Sequence, residues 1–187
     1  QLCIRDSYES YATSKSWILT STEGTRMVSV EFKDAAGNST AVSDTIVLDT
    51  TPPSAPLVSP ANGLSTNDTT PTWSWSTGGG GNGTYRYKLN DSDMTSGATQ
   101  TTSTSFSPAS NFSEGSYTLY VQERDAAGHW SSSSSSTIII DTTAPTSNLI
   151  GINSGASYTT STSVALSLNS TGASYMPFNN DSCIYSS

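Results

Sequence analysis

Apolar and polar residues alternate with a period of two through most of this chain. In the segment 115–124, apolar and aromatic side chains at 117, 119 and 121 are interleaved with Thr118, Tyr120 and Gln122. The segment 84–90 alternates in the same way. This period is typical of strands with one buried face. Turn sequences such as Asn62-Gly63 and the glycine-rich run 78–83 separate the segments. We therefore predict an all-β protein.

The chain contains an internal repeat of about 92 residues. Thr45-Ile-Val-Leu-Asp-Thr-Thr-Pro-Pro53 returns as Thr137-Ile-Ile-Ile-Asp-Thr-Thr-Ala-Pro145, and Asp34-Ala-Ala-Gly-Asn38 returns as Asp125-Ala-Ala-Gly-His129. Glu23-Gly24 returns as Glu114-Gly115. A unit of this length suits an immunoglobulin-like sandwich.

The repeat divides the chain into one whole unit and two halves. Residues 54–141 form a complete repeat, residues 1–49 match the back half of a repeat, and residues 146–187 match the front half. Residues 50–53 and 142–145 are short Thr/Pro linkers, which we expect to be stiff because proline fixes φ. The predicted fold is therefore a set of tandem immunoglobulin-like β-sandwiches.

The alternation also predicts core residues and further strands. The predicted core contains Trp73, Trp75, Tyr117, Leu119 and Val121 in the central unit and Val28, Val30 and Phe32 in the N-terminal piece. In the C-terminal piece we predict strands at 149–152 and 164–168, and a third at 174–179.

Composition excludes several functional classes. The net charge is −8, with 7 Lys+Arg against 15 Asp+Glu, so we expect no nucleic-acid partner. The longest apolar run has three residues, which is too short to span a membrane. Low lysine, low cysteine and a content of about one third Ser plus Thr suit a secreted, extracellular or cell-surface protein.

The repeated motifs resemble those of bacterial Ig-like tandem repeats. The resemblance rests on 32–38 with 44–53, on Thr70-Pro-Thr-Trp-Ser-Trp-Ser76, and on the segment 114–128. Such repeats build large surface proteins, adhesins and extracellular fibres. The resemblance therefore implies a structural subunit of an extracellular filament, with an adhesin or carbohydrate-binding stalk module as the alternative. Host or matrix glycans would be the partners in that alternative.

We expect no enzymatic activity and no catalytic residue. His129 is the only histidine, and it lies in a predicted turn with no recognisable catalytic or zinc-binding partner. The run Ser131–Ser136 lacks a nearby base or nucleophile-elbow pattern, so a solvated loop or strand is the simpler interpretation.

The remaining candidates have structural alternatives. Asp34, Asp49, Asp125 and Asp141 recur near the junctions and are calcium candidates, but aspartate also stabilises tight turns without a metal. No other cofactor is expected.

Trp73 with Trp75 could stack on sugar rings if exposed, although a sandwich core requires such residues too.

The split repeat predicts assembly. Each half alone would leave an apolar face and unpaired strand edges, and the complementary half lies at the other end of the chain. We expect identical copies to complete each other head to tail, which gives an open filament. A continuous polypeptide joining successive copies is the alternative. Cys3 and Cys183 would come together across such a junction as a disulfide candidate.

Overall fold

The computed structural model describes residues 8–178, and this part of the chain is built from β-strands. Its one helical element is a single 3-10 turn, Asn153–Gly155. The all-β prediction is confirmed. In the described part of the chain no helix is long and apolar enough to cross a membrane.

Twelve strands follow one another along the chain. They are β1 (Gly24–Lys33), β2 (Ser39–Leu48), β3 (Leu57–Ser59), β4 (Leu64–Thr66), β5 (Trp73–Ser76), β6 (Thr84–Leu89), β7 (Thr99–Thr101), β8 (Ser105–Phe106), β9 (Gly115–Arg124), β10 (Ser134–Ile140), β11 (Thr146–Ile152) and β12 (Leu166–Thr171).

Strands β3 to β10 form a two-sheet sandwich. One sheet has the order β4-β10-β9-β6-β7, and the other has the order β3-β5-β8. Most neighbours are antiparallel, but β4 pairs with β10 in parallel. Strand β4 belongs to the front half of the repeat and β10 to the back half. Their pairing therefore places strands from both halves in one sheet.

Side chains from both sheets fill the core between them. Trp73 and Trp75 come from β5, whereas Leu119 and Val121 come from β9, and all four are buried. Tyr85, Ile138 and Ile140 complete the cluster. The alternation of β5 and β9 explains this arrangement, because every second side chain of a strand faces the same side.

Tyr117 fixes the start of β9. Its ring stacks on Phe112 with centroids 4.0 Å apart, and its hydroxyl donates to the backbone carbonyl of Ser113 at 3.1 Å. The side chain is half-buried at the margin of the core. A tyrosine hydroxyl that returns to the backbone a few residues upstream is a feature of immunoglobulin-like sandwiches.

The terminal pieces form separate hairpins. Strands β1 and β2 make a two-stranded antiparallel sheet, and so do β11 and β12. An isolated two-stranded hairpin is marginally stable in water, because it buries little apolar surface. Each terminal piece therefore contains only a fraction of the sandwich that the central repeat completes.

Each strand predicted in the C-terminal piece differs from the structure in its bounds. The predicted third strand of the C-terminal piece, 174–179, is irregular over its described residues 174–178. Strand β11 begins at Thr146 rather than at position 149, and β12 runs from Leu166 to Thr171 rather than from 164 to 168. Strands β4, β7 and β8, with two or three residues each, are too short to produce a period.

Candidate assembly interface

The β1–β2 hairpin has the same strand register as β9–β10 of the central repeat. Gly24 lies opposite Leu48 in the first pair, and Gly115 lies opposite Ile140 in the second. These residues correspond through the sequence repeat at offsets of 91 and 92. The N-terminal hairpin therefore reproduces the pairing of the last two strands of a complete sandwich over seven consecutive pairs, from Gly24–Leu48 to Val30–Val42. Beyond them β1–β2 continues in register to Lys33–Ser39, whereas the central repeat has a shifted bridge, Arg124–Trp130.

The apolar face of β1–β2 is exposed where its counterpart in the central repeat is buried. Val28, Val30 and Phe32 occupy the positions of Leu119, Val121 and Glu123. Val30 is 46% exposed and Phe32 is 44% exposed, whereas Leu119 and Val121 are fully buried. The prediction that Val30 and Phe32 are core residues is wrong within one chain, because no second sheet covers them in the described residues. Val28 is half-buried.

The N-terminal approach to β1 covers part of this face. On this face the rings of Tyr11 and Phe32 lie 6.4 Å apart. Tyr8 instead contacts Lys33, which points to the opposite face of β1, with the ammonium 4.9 Å from the ring. Ile46, on β2, is still 58% exposed. Val42, on the same face of β2, is 56% exposed, so the cover over this face is only partial.

The β11–β12 hairpin reproduces the pairing of β3 with β5. Ile150 lies opposite Leu168, as Val58 lies opposite Trp75. The register places Leu168 at the position of Trp75 and Leu166 at that of Trp73. Both leucines are 41% exposed, and Ile150 is 65% exposed. This hairpin therefore carries the front-half surface that packs against a back half in the central repeat.

Both halves also leave strand edges without a partner strand in the described chain. In the central repeat β10 lies between β9 and β4, so both of its edges are paired. Its counterpart β2 pairs with β1 alone among the described strands. An exposed edge with an apolar face beside it is a template for adding a strand.

Each linker is held by a glutamate from the repeat that precedes it. Glu23 Oε1 accepts hydrogen bonds from the Thr50 N–H at 3.0 Å and from the Thr51 hydroxyl at 2.7 Å. Glu114 Oε1 does the same for the Thr142 N–H at 2.9 Å and the Thr143 hydroxyl at 2.6 Å. We call this arrangement the linker clamp.

The linker clamp favours the charged form of both glutamates. Hydrogen bonds from the side chains of Thr143 and Thr142, followed by the Thr142 N–H, lower the pKa of Glu114 below its ordinary range. The pKa of Glu23 is lowered by the side chains of Thr50 and Thr51 in the same manner. The Glu-Gly pair recurs in the sequence, but a local pattern gives the glutamate no role. Its recurrence at the repeat offset was the available signal.

Two of the four predicted calcium candidates organise tight turns. Asp34 accepts from the Asn38 backbone and side chain, both at 2.8 Å, and these bonds lower its pKa. Asp125 accepts from the N–H groups of Gly128 and His129 and lies 3.0 Å from His129 Nδ1. Burial opposes charge on Asp125, but the hydrogen bonds outweigh it and lower the pKa.

The other two candidates lie in the linkers. Asp49 accepts from the Thr51 N–H at 3.2 Å, and Asp141 accepts from the Thr143 N–H at 3.1 Å. The structure brings Asp49 to Asp125 and His129, with one potential ligand atom from each within 4.8 Å of the others. Asp34 and Asp141 are not part of this group. The carboxylates of Asp49 and Asp125 each accept hydrogen bonds within their own turn, and calcium binding stays a prediction.

Neither the histidine nor the serine run forms a catalytic arrangement in the described residues. His129 is hydrogen-bonded to Asp125 within its own turn. Ser131 donates to the carbonyl of Ser132, and Ser136 donates to the carbonyl of Pro60. Ser131 and Ser136 are buried rather than solvated, and Ser134 begins β10. Ser131 and Ser136 therefore form hydrogen bonds within the sandwich.

The aromatic residues proposed for sugar stacking are buried. Trp73 is fully buried and Trp75 is 4% exposed, so neither can stack on a ligand. Trp130, which was not singled out from the sequence, is partly exposed. It lies under the guanidinium groups of Arg86 at 4.4 Å and Arg124 at 5.7 Å.

The disulfide candidate Cys3–Cys183 lies outside the described residues. It remains a prediction from the sequence alone.

Two packed sheets, a tyrosine corner and a tryptophan-rich core define the central repeat as an immunoglobulin-like sandwich. A comparison with protein families matches residues 59–142 to the bacterial Ig-like domain. The central repeat therefore belongs to that family, as its motifs indicated. The match identifies the chain as carrying a module of bacterial surface proteins. A search of curated proteins gave no match.

Proposed function

We propose that this chain is a structural, non-enzymatic unit of an extracellular bacterial fibre in which copies complete each other head to tail. The front half of a repeat, β11–β12, docks on the back half, β1–β2, of the next copy. One observation carries the proposal. The β1–β2 hairpin has the register of β9–β10 but exposes the positions that β9–β10 buries.

Physical chemistry favours completion of both halves. The exposed side chains of β1–β2 and β11–β12 form apolar surface on marginal two-stranded sheets, and covering that surface stabilises both. A contact between a front half and a back half is heterologous, so each added copy presents a new open face. The product is a filament rather than a closed oligomer.

The linker clamp supports a mechanical role. Because Glu23 and Glu114 each hold two consecutive threonines, the chain leaves every repeat along a defined path. Defined linker geometry transmits orientation from one sandwich to the next. A flexible tether would not need a repeated carboxylate at this position.

Assembly of the purified chain tests the proposal. We expect sedimentation velocity to show species that grow with protein concentration, and electron microscopy to show thin filaments. Boiling in SDS with reductant should release a band near 20 kDa. A chain that stays monomeric at all concentrations would contradict non-covalent completion. The split repeat would then be completed by the next copy only within a continuous polypeptide.

A second candidate function is binding of acidic glycans in an adhesin stalk. The favouring observation is Trp130 beside Arg86 and Arg124, which places two cations and an aromatic ring on the outer face of a protein with a net charge of −8. A glycan array compared between the native chain and Trp130→Ala separates this function from a purely structural role. Equal signals from both proteins would exclude the Trp130 surface.

A further inference from the structure

The central repeat contains a parallel strand pair that joins its front half to its back half. Strand β4 lies beside β10, with Leu64 opposite Ile138 and Thr66 opposite Ile140. Flanking backbone bonds continue the pairing: the Gly63 N–H donates to the Thr137 carbonyl at 2.8 Å, and the Asp141 N–H donates to the Thr66 carbonyl at 2.9 Å. This pair is the backbone connection that a split repeat would lose.

The C-terminal piece carries the donor half of that pair directly after an equivalent glycine. Residues 154–158 correspond to 62–66 at an offset of 92. Gly63 has a φ of +85°, and Gly155, its counterpart, has a φ of +87°. Because this left-handed conformation favours glycine, both segments place a glycine directly before the donor segment. The residues ahead of it differ: Asn153 and Ser154 also have positive φ, at +46° and +57°, whereas their counterparts Ala61 and Asn62 do not. The segment itself, 156–158, has no strand partner in the described chain.

The N-terminal piece carries the acceptor half. Thr45 to Leu48 on β2 correspond to Thr137 to Ile140 on β10. In the central repeat, the Thr137 N–H donates to the Asn62 side chain at 2.9 Å. In β2 the equivalent Thr45 N–H donates instead to its neighbour Asp44 at 2.8 Å. The Thr45 N–H thus has a partner in its own strand, whereas the Thr137 N–H has its partner, Asn62, in the front half of the repeat.

Charge is compatible with this contact. The described part of the C-terminal piece, 146–178, contains no Asp, Glu, Lys or Arg, so docking it buries no charge of its own. Within one chain, β1–β2 and β11–β12 belong to separate sheets. The partner that fits the acceptor edge is therefore the front half of a second copy.

We propose that residues 156–158 of one copy add in parallel to Ile46–Leu48 of the next copy, with position 156 opposite Ile46. This inference rests on the proposed head-to-tail function and specifies its strand register. The Gly155 N–H then donates to the Thr45 carbonyl, and the Asp49 N–H donates to the Tyr158 carbonyl. Both bonds repeat those seen in the central sandwich.

Disulfide trapping in a two-copy fusion tests the register. Residue 187 of the first copy is joined to residue 1 of the second, with Cys3 and Cys183 replaced by serine in both copies. Ala156→Cys is placed in the first copy and Ile46→Cys in the second. Neighbouring strands lie about 4.8 Å apart, which is within the Cα separation of a disulfide. We expect the disulfide to form, as read by mass spectrometry of the non-reduced digest.

The matched control moves one cysteine by a single residue. Val47→Cys replaces Ile46→Cys, and because adjacent strand residues point to opposite faces, this pair should not cross-link. Equal cross-linking of both pairs, or cross-linking of neither, overturns the register. A single copy carrying Ile46→Cys and Ala156→Cys should remain uncross-linked while monomeric; a bond there would place the contact within one copy and overturn the inference.

The test separates this inference from the proposed function. If filaments form by sedimentation but the designed pair does not cross-link in the fusion, head-to-tail assembly stands and the parallel register is wrong. If neither filaments nor the cross-link appear, both are wrong.

Discussion

The indole N–H of Trp73 donates to the backbone carbonyl of Ser136 at 3.1 Å across the interior of the central sandwich. Trp73 belongs to the three-stranded sheet and Ser136 to the five-stranded sheet, so this bond joins the two layers. Both residues are almost completely buried. A hydrogen bond at this depth fixes how the sheets face each other, since neither group has access to water.

Trp73→Phe should destabilise the protein by about 1–3 kcal/mol from the lost buried hydrogen bond, with a further contribution from the smaller ring. Urea unfolding followed by far-ultraviolet circular dichroism measures the change. Trp17→Phe is the matched control, because Trp17 is 60% exposed. If both variants unfold at the same urea concentration, the Trp73 bond does not stabilise the sandwich.

Leu119→Ala should cost about 2–5 kcal/mol, because it leaves a cavity in a fully packed core. Leu119 has no exposed surface, whereas Leu57, the control position, is 68% exposed. The free energy of unfolding of both alanine variants should be compared with that of the native chain. A loss below about 0.5 kcal/mol for Leu119→Ala would mean that the cavity is refilled by its neighbours.

The linker clamp should make the junction sensitive to acid. The pKa of Glu114 is lowered, so its contribution to stability is complete above the ordinary carboxyl pKa of about 4.3 and is lost as the pH falls through the lower folded value. Hydrogen exchange at the Thr142 N–H, measured by NMR after correction for its intrinsic rate, should lose protection over that interval.

Glu114→Gln removes the charge and should abolish the acid dependence of that exchange. Asp34→Asn is a suitable control, because Asp34 accepts from Asn38 in the turn of the β1–β2 hairpin and its pKa is lowered in the same direction. Unchanged acid dependence in Glu114→Gln would show that another group controls the Thr142 N–H.

The period-two pattern was sufficient to predict the sandwich, because a long strand with one buried face requires apolar and polar residues to alternate along the sequence. Strand β9 alternates over ten residues, and its predicted bounds are those of the structure. Strands β4, β7 and β8 were missed, since two or three residues carry no period. Their positions depend on pairing with distant strands, which a local pattern does not contain.

Burial in the N-terminal piece could not be predicted from its pattern alone. Val30 alternates like Val121, but a side chain is buried only if another layer covers it. The pattern identifies which face of β1 is suited to burial. It does not indicate whether a second sheet packs on that face. The clamp glutamates were overlooked for a related reason: their threonine partners are 27 to 29 residues away in sequence.

Leu168→Asp should abolish head-to-tail assembly, because it places a carboxylate at the position that Trp75 fills in the complete repeat. A charge buried there without a partner is strongly unfavourable. Leu149→Asp is the control: Leu149 is 68% exposed and points to the opposite face of β11–β12 from Leu168. Sedimentation velocity over a range of concentrations should show monomers for Leu168→Asp and native-like association for Leu149→Asp. The central sandwich should unfold at the same urea concentration in both variants, since neither residue belongs to it. If Leu168→Asp still associates like the native chain, the face formed by Ile150 and Leu168 is not the assembly surface.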